Sequence, residues 1–364
     1  MKWKVGILGA TGAVGQRMIE LLADHPWFTV SEVAASERSA GKPYREAVRW
    51  TLDGSVPATI GDLIVKPAQP PLDCDFVLSA LDASVAGPVE EEFALTGYPV
   101  LSNSKNHRME EDVPLLIPEI NPDHLDLLAV QRKRRGFTTG CLVTNSNCTT
   151  MGLAMALKPL DDAFGVKELI VVTMQAISGA GYPGVPSLDI LDNVIPYISG
   201  EEEKVEIESR KILGRLNGES LEFSNMKISA HCNRVHVLDG HTECVSVRLN
   251  RRASLKNLRH ALASFAGEPQ RLLLPSAPEH PIVVTEESDR PQPRRDRNTG
   301  NGMSVVVGRL RPCEILDYKF TLLVHNTIRG AAGAAILNAE LLASRGELPH
   351  RTPVEESVAA DDEA

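Results

Sequence analysis

The run KVGILGATGAVGQRMIELL, residues 4–22, limits the possible folds more than any other part of the chain. An apolar stretch passes through Gly9, Gly12 and Gly15 and continues with Val14, Met18, Ile19, Leu21 and Leu22 at helical spacing, which reads as strand, tight turn, helix. Glycines there let the backbone turn sharply and approach a pyrophosphate, whose charge then sits on the free N–H groups opening the helix. The loop residues Gly9, Thr11, Gly12, Ala13, Val14 and Gly15 are therefore candidate cofactor contacts.

The same texture recurs. TVSEVAAS (29–36), DFVLSAL (75–81) and PVLSNS (99–104) are short apolar runs ending in small polar residues, with the helical PVEEEFALTG (88–97) among them. Alternating strands and helices predict an α/β fold with a mostly parallel, Rossmann-like sheet. From about Glu168 the pattern changes. LIVVTMQAIS, MKISAHCNRV, HTECVSVRLN and MSVVVGRLR are longer β-rich runs with partial alternation, predicting an α+β domain with a mixed or antiparallel sheet. The expected division is a nucleotide-binding domain over 1–147, a catalytic and dimerisation domain over 148–325, a helix over 326–348 returning to the first domain, and an acidic tail without fixed structure over 349–364. A length of 364 residues with 43% hydrophobic content suits two domains.

Charge excludes some partners. With 38 Lys and Arg against 48 Asp and Glu, the net charge of −10 repels nucleic acid and anionic membranes. No run of about 18 apolar residues could span a bilayer, and the first residues enter a strand without a leader-like segment, so a cytoplasmic protein is expected. The six cysteines form no CxxC pair and are too sparse for a disulfide framework; Cys74 and Cys141 read as strand positions.

The end of the second strand reads ASERSAGK, where an Asp or Glu usually binds the ribose of NAD. Ser36, Arg38 and Ser39 can instead donate to a 2′-phosphate, which favours NADP; Glu37 keeps NAD open. In TNSNCTTMGLAMAL, Cys148 falls between polar residues and an apolar helix. A helix N-terminus there would favour the thiolate and offer free N–H groups to an oxyanion. An acid/base partner is available in NRVHVLDGHTECVSV. His236 falls in a strand-like run, whereas His241 follows the Asp239–Gly240 turn, where an exposed ring could be aimed into a cleft. His231, Cys232, His236, His241 and Cys244 match no compact zinc spacing, so no metal is expected.

GATGAVG, SNSKNHRMEEDVPLLIPEIN, SNCTT, QAISGAGYPG, IPYISGEEEKVEIESRKILG, NRVHVLDGHTE and HNTIRGAAG, in this order, carry a resemblance. Over nearly its whole length the chain resembles the aspartate-β-semialdehyde dehydrogenases, in the branch shared by archaea and fungi. The resemblance implies NADPH-dependent reduction of L-aspartyl-4-phosphate to L-aspartate-4-semialdehyde with release of phosphate, on the route to lysine, threonine and methionine. It implies Cys148 as nucleophile, Gln175 as an orienting residue and His241 as acid/base. Arg234 would hold the substrate's carboxylate and Glu208 its ammonium, with Arg108, Lys211 and Asn147 around the phosphate. Ser178, Gly179 and Asn326 would lie beside the nicotinamide, and a homodimer or homotetramer would form on the second sheet.

Two other readings stay open at this level. A CoA-thioester reductase such as malonyl-CoA reductase shares the cysteine and NADPH, but its substrate has no ammonium to meet Glu208. A non-catalytic NADP-binding sensor could use the same fold, although it has no need of an activated thiol.

Overall fold

The computed structural model describes residues 2–350; residues 351–364 of the expected unstructured tail lie outside the described residues. The first sheet contains β1 (Trp3–Leu8), β2 (Phe28–Ala35), β3 (Lys66–Pro67), β4 (Phe76–Ser79), β5 (Pro99–Ser102) and β6 (Cys141–Thr144) in the order β3-β2-β1-β4-β5-β6. Every pairing is parallel. Cover on both faces explains why β4, β5 and β6 are buried at every position. Helices α1 (Ala13–Leu22), α2 (Ala83–Leu95) and α3 (Leu127–Arg135) belong to this layer. Cys74 lies in a bend before β4 rather than in a strand.

β6 leads directly into α4 (Cys148–Phe164), buried nearly all round, which crosses to the second layer. The second sheet runs β13-β14-β15-β12-β7-β11-β8. Its members are β7 (Val166–Gln175), β8 (Val194–Ile195), β11 (Lys227–Val235), β12 (His241–Leu249), β13 (Ile282–Val284), β14 (Val305–Pro312) and β15 (Tyr318–Val324), with β9 (Arg215–Asn217) and β10 (Ser220–Glu222) forming a separate hairpin. It is mixed: β7 pairs β11 in parallel and β12 antiparallel. α4, α5 (Glu201–Ile212) and α6 (Leu255–Ala263) bury apolar side chains on one face, where Met151, Leu157, Val205 and Leu258 share a core with Val171, Val245 and Leu322. Strand alternation puts Ile170, Val172 and Cys244 on the other face, where they are exposed.

After β15 the chain makes a wide turn, Ile328–Ala332, with i to i−5 bonds from Gly330 to His325 and from Ala332 to Thr327. α7 (Gly333–Ser344) follows and buries Ile336, Leu337 and Leu341 in the same core as Val5, Ile7 and Met18 of the first layer. The catalytic candidates thus gather where the first layer, α4 and the ends of β7, β11 and β12 meet. Among the described residues no helix is long and apolar enough to cross a membrane.

Candidate active site

α4 starts at Cys148 because Asn147 caps it. The Asn147 Oδ1 accepts from the N–H groups of Thr149 (2.9 Å) and Thr150 (3.2 Å). Asn147 is fixed in turn by α5: its N–H donates to Glu208 Oε2 at 2.6 Å and its Nδ2 to Glu201 Oε1 at 2.7 Å. Cys148 Sγ then lies 3.1 Å from His241 Nε2. On the far side of the ring, the Ala176 N–H donates to His241 Nδ1 at 3.0 Å.

Two expectations are corrected here. His241 is not an exposed turn residue; Gly240, with φ of 103°, completes the turn, and His241 opens β12 at 0% exposure. Nor does the helix terminus make the sulfur acidic in the resting protein. Burial pushes the Cys148 thiol up to about 12 and Glu201 adds to it, against Arg108, Arg234 and a backbone bond from Thr149. Burial likewise drives His241 down to about 3, helped by Arg234. The resting pair is a partly accessible thiol and a neutral imidazole.

Arg234 pairs with Gln175 across β11 and β7, is buried, and donates from Nη1 to the Ala176 carbonyl at 2.8 Å. The SGAG turn covers it. A Cβ on Gly179 would stand 2.8 Å from Arg234 Nη1 and 3.1 Å from His241 Cε1, so only glycine lets the turn lie on this pair. Ser178 and Gly240 are clasped together by Asn326, whose Nδ2 donates to Ser178 Oγ and whose Oδ1 accepts from the Gly240 N–H, both at 2.8 Å. Gln175 is buried at the end of β7 and donates weakly, at 3.4 Å, to Thr173 Oγ1.

The expected phosphate side differs from its sequence reading. Arg108 donates from Nη1 to Glu208 Oε1 at 3.0 Å and from Nη2 to the Asn103 carbonyl at 2.8 Å. Lys211, 1% exposed, spends its ammonium on the carbonyls of Arg108 and Glu110 (both 2.7 Å) and Val113 (2.9 Å). A direct Lys211–phosphate contact does not fit this position, because three carbonyls satisfy all three of its donors. The residue instead fastens α5 to the 108–113 segment. Glu208 keeps unused lone pairs beside Arg108 and Asn147.

Sequence reasoning passed over four contributors. Glu201 was legible: Glu201, Lys204, Glu208 and Lys211 follow helical spacing on one face of α5, and Lys204 pairs with Glu201 at 3.0 Å. Ala176 acts through its backbone, for which a side-chain pattern has no signal. Gly330 lets the wide turn touch the nucleophile, since a Cβ there would lie 2.6 Å from Cys148 Cβ. Arg329 beside it is completely buried and bidentate to Glu119 at 2.7 and 2.6 Å.

In the glycine loop, Gly9 adopts φ of 78° and a Cβ on it would meet the Ala80 carbonyl at 2.6 Å; one on Gly15 would meet the Gly9 carbonyl at 2.4 Å. Exposed Gly12 opens α1, flanked by half-exposed Thr11, Ala13 and Val14, with no acidic residue in the first turn. This bare cradle at a helix N-terminus suits a pyrophosphate. Ser36 and Arg38 are exposed and Ser39 half-buried in the loop directly after β2, beside β1, where a ribose would lie. Arg49 sits over the Tyr182 ring at 5.1 Å and ties the first layer to the loop that follows the SGAG turn.

Residues 4–128 match the family model described as semialdehyde dehydrogenase, NAD binding domain, and residues 157–329 match semialdehyde dehydrogenase, dimerisation domain. The chain is 53% identical to an aspartate-semialdehyde dehydrogenase of Archaeoglobus fulgidus, over 94% of this chain and 98% of that one. It is 51% identical to the Schizosaccharomyces pombe aspartate-semialdehyde dehydrogenase over 94% and 98%. Its structure is similar to that of the Candida albicans aspartate semialdehyde dehydrogenase with NADP, with a TM-score of 0.88 at 45% identity, covering 95% of this chain and 100% of that one.

Proposed function

The chain belongs to the aspartate-semialdehyde dehydrogenase family, and from that premise we propose that it reduces L-aspartyl-4-phosphate to L-aspartate-4-semialdehyde with NADPH and releases phosphate. The observation that carries this reading is the 3.1 Å contact between Cys148 Sγ and His241 Nε2, with the Arg234 guanidinium packed against the same glycine turn. Cys148 attacks the acyl phosphate and becomes a thioester, an acyl group that accepts hydride more readily than a carboxylate. Arg234 takes the α-carboxylate, since a guanidinium grips two oxygens at once. Glu208 takes the ammonium on its unused lone pairs. Arg108 and the Asn147 cap stand toward the phosphate, and Glu208 with Lys211 hold both in place. Gln175 orients the acyl group by hydrogen bonding.

NADP would rest on the Gly9 to Gly15 loop, with Ser36, Arg38 and Ser39 at its 2′-phosphate and Ser178, Gly179 and Asn326 toward the nicotinamide. When bound it supplies the hydride. The uncovered face of the second sheet, with Ile170 and Val172 exposed, is the surface proposed for a homodimer or a tetramer built from it. A cytoplasmic setting accompanies this proposal because the working thiol has to stay reduced. Among the other readings, a CoA-thioester reductase is disfavoured by identity above 50% to aspartate-semialdehyde dehydrogenases along nearly the whole chain. A sensor is disfavoured by the close thiol–imidazole pair.

The test is reduction of NADP by L-aspartate-4-semialdehyde in the presence of phosphate, with mass spectrometry of the acylated protein. Turnover should vanish in Cys148→Ser while NADP still binds. Near-normal rates in that variant would refute the covalent route.

A further inference from the structure

Asn145 directly follows β6, two residues ahead of the Asn147 cap, and is 1% exposed. Its main-chain N–H donates to the Ser102 carbonyl at 2.8 Å, and its side-chain amide joins three further elements. Nδ2 donates to Asn103 Oδ1, just after β5, at 2.8 Å and to the Ala331 carbonyl in the wide turn at 3.0 Å, while Oδ1 accepts from Asn338 Nδ2 on α7. A carbonyl can only accept, so the NH2 end must face Ala331, and both of its hydrogens are committed. Each arm ends on a group the reaction needs. Asn103 is pinned to the end of β4, its N–H and Nδ2 donating to the Ser79 carbonyl at 3.0 and 3.1 Å, and its own carbonyl accepts from Arg108 Nη2 at 2.8 Å. With Nη1 on Glu208, the Arg108 fork keeps Nε buried without a partner among the described residues, a donor left for an anion. On the other arm, Ala331 adjoins Gly330, where a Cβ would stand 2.6 Å from Cys148 Cβ.

We propose that Asn145 is a positioning residue that sets the spacing between Arg108 and Cys148, holding the site of the leaving phosphate at a fixed distance from the attacking sulfur. This rests on the reaction proposed above and deepens it. In that step the S–C bond forms, the thiol proton passes to His241, and the bond from carbon to the phosphate oxygen breaks with its electron pair leaving on phosphate. The guanidinium that meets this added charge and the sulfur that displaces it belong to different segments, one after β5 and one on α4. Their separation is fixed only by what joins those segments, and a misplacement near 1 Å costs about 10²-fold in rate. One buried amide touches both. Because each of its bonds is made in a site closed to water, the network holds its geometry or fails outright, with no solvent to take over a lost partner.

The test uses the full chain and two neutral variants, Asn145→Ala and Asn103→Ala, assayed in the oxidative direction with L-aspartate-4-semialdehyde, NADP and varied inorganic phosphate. Asn145→Ala releases both arms. Its KM for phosphate should rise about 10-fold, the scale of one weakened bond to a charged group, and its kcat per titratable thiol should fall about 10²-fold, while KM for NADP holds. Asn103→Ala cuts only the arm toward Arg108. It should raise the phosphate KM by a similar factor and leave alkylation of Cys148 by iodoacetamide at the wild-type rate, a rate that Asn145→Ala should shift. A merely structural part would lower the melting temperature and the amount of active protein with the phosphate KM unmoved in both variants, and that result overturns the proposal. Should Asn145→Ala fail to fold, Asn103→Ala still decides, because Asn103 is only half-buried and an unchanged phosphate KM there refutes the link to Arg108. Wild-type turnover that ignores phosphate would refute the aspartyl phosphate reading and this proposal with it. A phosphate-dependent wild type with unmoved variants refutes this proposal alone.

Discussion

Removing the Glu119 charge should damage this protein more than most single changes. Arg329 is 0% exposed, and both guanidinium bonds to Glu119, at 2.7 and 2.6 Å, are inside the protein, where Nη2 also lies 3.4 Å from Met155 Sδ. Glu119→Gln keeps the shape but leaves a full positive charge in an apolar setting. Breaking a buried pair from one side costs about 3–5 kcal/mol. At roughly 2–4 °C per kcal/mol for domains of ordinary size, the melting temperature should fall by about 6–20 °C. The assay is urea denaturation followed by tryptophan fluorescence, on wild type, Glu119→Gln, Arg329→Met and the double variant Glu119→Leu/Arg329→Met. The double variant should recover most of the loss, because apolar side chains of similar volume replace a buried pair at little cost. A single-variant loss under about 1 kcal/mol, or a double variant as unstable as Glu119→Gln, would refute the argument. The site should register the change too, since Arg329 adjoins the glycine packed on Cys148.

Three further outcomes can be checked. Gly330→Ala would place its Cβ 2.6 Å from that of Cys148, so kcat should fall by about 10²-fold for a displacement near 1 Å while NADP affinity, read by fluorescence titration, holds. Arg38→Ala should lower the ratio of kcat/KM for NADPH over NADH by about 10- to 100-fold, as loss of a charged hydrogen bond of about 1.5–3 kcal/mol requires, in steady-state assays with each cofactor. His241 titrates at about 3 when folded against 6.5 when exposed, so the unfolded chain takes up a proton in that window and the folded chain does not. Stability should therefore fall as pH drops below about 6.5, and urea midpoints at pH 5 and pH 7 should differ less in His241→Gln than in the wild type.

Much of the fold was legible because the relevant signals are local. The strand, glycine loop and helix at residues 3–22 lie within one short stretch, and Gly9 and Gly15 are needed where a carbonyl closes on the backbone. The second sheet announced itself through β7, β11, β12 and β14, long runs in which one face is buried. β3, β8 and β13 escaped, being two or three residues long and defined by their neighbours more than by their own composition. β15 also went unread, although YKFTLLV is buried along most of its length, because such a run resembles a helix core as well as a strand.

What the sequence alone determined was the chemistry available: a cysteine at a helix start, a histidine after a glycine turn, an arginine in a strand-like run, and a glycine cradle for a dinucleotide. Tertiary structure decided the state those groups are in. Cys148 and His241 meet across 93 residues, and Ala176 and His241 across 65, so neither the contacts nor the depth of burial could be read locally. The same holds for Lys211, whose three carbonyl partners lie about a hundred residues earlier and turn a predicted ligand contact into a brace. Protonation and hydrogen bonding depend on everything packed around a group, and that surrounding exists only once distant segments have come together.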